Sequence, residues 1–147
     1  MAKAVEPREF ELQGTIASAD ITGTAAGQLG HANGVELVPA GGADIVTELI
    51  SLTLINDFDT AAYTAGGNTT VNIGSGGAAL TGLVANSAFI QAAADAIIEF
   101  VPLAATILTH TANRGLNLVS ASAPTQPGTA AGVFKYVIRY RRTKTRL

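Results

Sequence analysis

Residues 45–58, IVTELISLTLINDF, decide the fold. In an extended chain Val46, Ile50, Leu52, Leu54 and Phe58 point to one side, while Thr47, Ser51 and Thr53 point to the other. A helix is the rival, because Ile45, Leu49 and Leu52, or Val46, Ile50 and Leu54, also make a helical stripe that Asp44 could cap. Six of the eleven residues from Ile45 to Ile55 are Ile, Val or Thr, whose stiff side chains suit a pleated surface, so the stretch reads as a core strand. It is longer than most strands, which run to about 10 residues. A bend near Ser51 or a frayed end past Ile55 is therefore expected.

Working outward, the clearest companion is Val133–Arg141. Its even positions, Phe134, Tyr136, Ile138 and Tyr140, are apolar and aromatic, and Lys135, Arg139 and Arg141 alternate with them. The preceding PTQPG, with Pro124, Pro127 and Gly128, supplies its entry turn. Shorter strands are expected at Thr15–Ile21, Val35–Val38, Ala96–Val101, Ala105–Thr111 and Leu116–Ala121. Thr69–Ile73 and Ala79–Val84 read as a hairpin around the glycine-rich Gly74–Gly77. Asn86 and Ser87 can cap a short helix, SAFIQAAAD, that carries Phe89 and Ile90 onto the end of the sheets. About eight short strands and one short helix point to an all-β fold, an antiparallel β-sandwich or jelly roll.

A chain of 147 residues makes one domain. The expected divisions are an extended arm over residues 1–14, the β domain over 15–141 and a basic tail over 142–147. Such an arm gains order only by lying on its own domain or on a neighbour. With no cysteine there is neither a disulfide framework nor a thiolate metal site, which fits folding in a reducing cytoplasm. MAKAVEPREFELQ mixes charges of both signs and does not read as a signal peptide. Glycines and asparagines break the uncharged run from Thr60 to Ala94, so it cannot span a membrane as a helix.

Charge is scarce and unevenly placed. Only 14% of residues are charged, against about 25% in ordinary domains, and a surface so poorly defended favours association. Residues 1–100 hold all eleven acids with two bases, whereas residues 101–147 hold seven bases and no acid. Six of those bases, Lys135, Arg139, Arg141, Arg142, Lys144 and Arg146, fall in the last thirteen residues. A solvated tail and a nucleic-acid groove are two readings of that cluster. The broad positive field of a nucleic-acid binder is missing at a net charge of −2, so contact with an acidic protein surface is preferred. Arg8, Phe10, Arg139, Arg141, Arg142, Lys144 and Arg146 are the residues expected to meet that partner.

Reactive chemistry is not legible. Gly74–Ala79, GSGGAA, loosely matches a dinucleotide fingerprint but lies between two strands, where no helix N-terminus faces a pyrophosphate. Asn56, Asp57 and Asp59 gather oxygens like a calcium loop but lack its spaced Glu, and turn formation explains them better. His31 and His110 lie far apart without companions of ligand type, and no GxSxG elbow occurs. Neither a cofactor nor a metal is expected, and the chain reads as a non-enzyme.

The block from Gly34 to Ile73, with its phrases VELVPA and DFDTAAYTAGGN, together with TQPGTAAGVFKYVIRYR from Thr125 to Arg141, resembles head decoration (cement) proteins of tailed bacteriophages. The resemblance implies a compact, often trimeric β-sandwich that binds the outside of the assembled capsid where capsomers meet. The major capsid protein would be its partner and the virion its location, after synthesis in the host cytoplasm. It carries no fixed binding positions. The rival is a carbohydrate- or receptor-binding β-sandwich of a tail or fibre, which needs an exposed aromatic platform; Tyr63 would have to supply it.

Overall fold

A computed structural model of the chain describes residues 7–103, 111–125 and 132–145. The expected strand at Ala105–Thr111 lies almost wholly outside them, as do His110, Pro127, Gly128 and Arg146. Among the described residues there are nine strands and only two short helical turns, and every strand pair is antiparallel. The fold is all-β.

Residues 45–57 form a strand, β3 (Ile45–Asp57), and not a helix. The expected bend is present as a register shift between Leu49 and Ser51 against the last strand, β9 (Val133–Lys144). That bulge changes which residues face inward. Thr47 and Leu49 are buried before it, Leu52, Leu54 and Asn56 after it, so Val46 and Ile50 drop out of the expected inward row. Phe58 lies beyond the strand end, where its backbone N–H donates to Asp95 Oδ1 at 3.0 Å.

β3 and β9 are the middle of a four-stranded sheet whose edges are β1 (Arg8–Ile16) and β6 (Ala96–Phe100), in the order β1-β9-β3-β6. A second sheet has β7 (Leu116–Ser120) between β2 (Val35–Val38) and β5 (Thr69–Ile73). The two-residue strands β4 (Thr64–Ala65) and β8 (Pro124–Thr125) pair separately. Leu52, Leu54, Phe134 and Ile138 from the first sheet join Leu37, Val71, Leu116 and Leu118 from the second in one buried cluster. Burial of that apolar area drives the two sheets into one folding unit.

Both chain ends differ from the expected division. The described part of the expected arm lies on its own domain as a strand of the sheet: all nine residues of Arg8–Ile16 pair in register with β9 of the same chain, from Arg8 opposite Arg142 to Ile16 opposite Phe134. Likewise β9 continues through Arg142, Thr143 and Lys144, which pair with Thr47, Val46 and Ile45 where a tail was expected. Thr15 and Ile16 finish β1, and the chain then turns into the short helix α1 (Ser18–Thr22), burying Ile21. The helix expected after Asn86 is only a 3-10 turn over Asn86–Ala88, although Phe89 and Ile90 enter the core as anticipated. β5 takes its full ladder from β7, and meets Ala79–Val84 through isolated bridges at Thr69–Val84 and Asn72–Ala79 and the Val71 N–H donating to Thr81 Oγ1.

Candidate functional site

The pairing of the first and last strands brings together every described residue expected to meet a partner. Residues directly opposite in an antiparallel pair share a face, so the register sorts them. On the face toward the core the rows across β1, β9 and β3 are Arg8–Arg142–Thr47, Phe10–Tyr140–Leu49 and Leu12–Ile138–Leu52. The outer face carries Glu9–Arg141–Glu48, Glu11–Arg139–Ser51 and Thr15–Lys135–Ile55.

The outer rows neutralise themselves. Arg141 donates to Glu9 at 3.0 Å and has Glu48 across its other edge. Lys135 meets Asp57 diagonally at 2.6 Å, and Arg139 has Glu11 opposite. These side chains are about half exposed, so each ion pair adds at most about 1 kcal/mol. Four acids of the early chain and three bases of the late chain face one another on this side of the sheet.

The inward rows are different in kind. Phe10 stacks on Tyr140 with ring centroids 5.3 Å apart and planes 20° from parallel. The Arg142 guanidinium lies 5.4 Å from the Tyr140 centroid and 5.9 Å from that of Phe10, and donates to the Pro39 carbonyl at 2.8 Å. Its Nε is buried without a hydrogen-bond partner. Arginine suits this place because its planar, weakly hydrated cation can stack on rings and still reach a carbonyl. One row further, Gly14 lies beneath Tyr136; a Cβ on Gly14 would fall 2.4 Å from the Tyr136 hydroxyl.

The far end of this surface is exposed among the described residues. Tyr140 is buried and Ile138 is fully buried, but Phe10 is 39% and Leu12 38% exposed, since no described element of the second sheet pairs or packs over β1 there. Arg8 and Lys144 are exposed at the same end, Lys144 opposite Ile45 in the row beyond Arg142. The described candidates thus divide: Arg139 and Arg141 lie on the outer face among acids, whereas Arg8, Phe10, Arg142 and Lys144 share the inner one.

A shallow depression of about 410 Å³ on the outer side of the same strands is lined by Gln13, Thr15, Ile55, Lys135, Tyr136 and Val137, with Gly14. Lys135, engaged by Asp57, is its titratable side chain; the Tyr136 phenol belongs to the inner row, where burial pushes it above its usual pKa. Neither is placed as an acid–base pair. The oxygen-rich stretch at the end of β3 does not converge, since Asn56 points inward and donates to the Phe89 carbonyl while Asp57 points outward to Lys135. Among the described residues no group of three His, Cys, Asp or Glu could hold a metal ion. His31 uses Nδ1 to accept the Asn33 N–H.

Tyr63 is not on the surface. It is 2% exposed, packs edge-on to Phe134 and donates its hydroxyl to the Gly132 carbonyl, so it cannot be an aromatic platform for a sugar. Sequence reasoning overlooked Leu12, Glu9 and Glu48 as parts of the candidate surface. The signal was there: Glu9-Phe10-Glu11-Leu12 alternates charged and apolar residues, the strand pattern, within what read as an arm. No protein family matches the chain, and no curated protein or solved structure is similar to it.

Proposed function

We propose that this chain is a structural protein of a bacteriophage particle, binding the outside of the capsid and stabilising contacts between capsomers, with no reaction of its own. The observation that carries the reading is the β1–β9 ribbon, where an exposed aromatic and aliphatic pair lies beside arginine and lysine that form no ion pair among the described residues, at a sheet edge. Such a surface suits a protein partner more than a small substrate. The low charge of the whole chain and its resemblance to capsid decoration proteins point the same way, and the homotrimer implied by that resemblance belongs to the proposal.

A cement role is mechanical. Each copy adds buried area and ion pairs across a seam, and many weak contacts multiply over a lattice, because one bound copy brings its other contacts to high local concentration. The experiment is to add purified chain to capsids that lack their decoration and image them. Ordered density over capsomer junctions, together with raised resistance of the capsid to heat, is the expected result. Bare capsids at micromolar protein would overturn the proposal, and density confined to the tail would replace it with the receptor-binding alternative.

A further inference from the structure

We infer that the exposed inner end of the β1–β9 ribbon docks an acidic peptide segment of a partner protein, its carboxylate held between Arg8 and Arg142 and its apolar side chains laid on Phe10 and Leu12. The inference rests on the reading of this surface as a partner contact and names the chemistry of what it contacts.

Three observations converge on it. Arg8 and Arg142 are directly opposite on one face, an arrangement that is unfavourable by itself because like charges repel across a strand pair. Lys144 adds a third positive charge in the next row. The acids of these strands, Glu9, Glu11, Glu48 and Asp57, all fall in the outer rows, so none of them can relieve the inner cluster. Among the described residues of these strands, the outer-face bases thus have acids beside them and the inner-face bases do not. Arg142 is held by its ring contacts and by Pro39, which spares a ligand the entropy of ordering it.

Geometry also sets the spacing of residues in the ligand. Arg8, Phe10 and Leu12 sit at i, i+2 and i+4 of one strand face, rows about 7 Å apart. An extended peptide laid alongside repeats the same interval. An acid followed by apolar residues two and four positions later therefore fits, with the carboxylate taking up paired N–H groups as arginine forks do.

The test uses the full chain and a blocked five-residue peptide, ESLSF, titrated while backbone amide and arginine Nε–H resonances are followed by NMR. Shifts confined to residues 8–12 and 138–144 are expected. Arg8→Gln should weaken binding roughly tenfold, as loss of a charge-assisted hydrogen bond does. Arg8 is an exposed residue at a strand end, so the variant folds, and Arg142→Gln is the second probe of the same pair. Equal binding of the charge-reversed peptide KSLSF, equal binding of a short single-stranded DNA, or unchanged affinity in both variants would overturn the inference. Capsid occupancy separates the two readings: ESLSF binding without capsid binding refutes the proposed function and leaves the docking surface, whereas capsid binding indifferent to Arg8→Gln does the reverse.

Discussion

Replacing Phe10 by Ala tests whether the first strand is part of the folding unit. Full burial of a phenylalanine makes its truncation cost about 3–5 kcal/mol. Phe10 keeps 39% of its surface in water, so about three-fifths of that cost, roughly 2 kcal/mol, is expected. Part of it is the stack on Tyr140 and the Arg142 cation above the ring, contacts worth about 1 kcal/mol or less apiece. Urea unfolding followed by circular dichroism measures the change. With a slope of about 2 kcal/mol per molar urea the midpoint should fall by about 1 M, with the slope itself unchanged. A cycle with Tyr140→Ala should show a coupling of about 1 kcal/mol, since the two rings touch. A midpoint shift below about 0.2 M, or additivity within about 0.3 kcal/mol, would mean that residues 8–12 lie loosely on β9 and that the ribbon is no built surface.

Three further outcomes follow from the same geometry. Gly14→Val should destabilise by about 1–3 kcal/mol in the same urea assay, because its side chain must displace the Tyr136 ring, and Gly14→Val with Tyr136→Ala should recover part of the loss. Burial raises the phenol pKa of Tyr63, against a smaller lowering by the Ser18 side chain, and burial also raises that of Tyr136; the neutral phenols then hold their protons longer in the folded chain, so stability is constant below pH about 10 and falls above it by up to about 1.4 kcal/mol per unit for each tyrosine. Thermal melts between pH 9 and 11 would show the fall (values on the scale of a phenol near 10), and Tyr136→Phe should flatten it. Arg141→Gln should cost under about 1 kcal/mol and reduce the salt dependence of stability, since the Glu9 pair is exposed; a loss of several kcal/mol would show that the outer rows carry more than screened surface charge.

The strands most legible in the sequence are those whose alternation reports burial directly. Val133–Arg141 reads correctly because Phe134, Ile138 and Tyr140 are all inward, and the β-branched wealth of 45–55 separates strand from helix. The inward residues of 45–57 were read correctly past Ser51, at Leu52 and Leu54, but not before it, because a bulge between Leu49 and Ser51 swaps the faces without any glycine or proline to announce it. Asn86–Ala88 failed as a helix for a related reason. Local capping chemistry was present, with Asn86 Oδ1 accepting the Ser87 N–H, but Asn86 also donates to Gly66, a contact made only by the folded chain.

Charge was the deeper limit. The sequence by itself determined that the acids lie early and the bases late, that no thiol chemistry is available and that a β fold must be built from short alternating strands. Only the tertiary structure decided that the first strand lies against the last, so that Glu9 meets Arg141 on the outer face while Arg8 meets Arg142 on the inner. Strand pairing joins residues more than a hundred positions apart, and a shift of one residue would exchange the two faces. Which bases are neutralised and which stay available is therefore a property of register, and register is set by burying Ile16, Ile138 and Phe134 against the rest of the core.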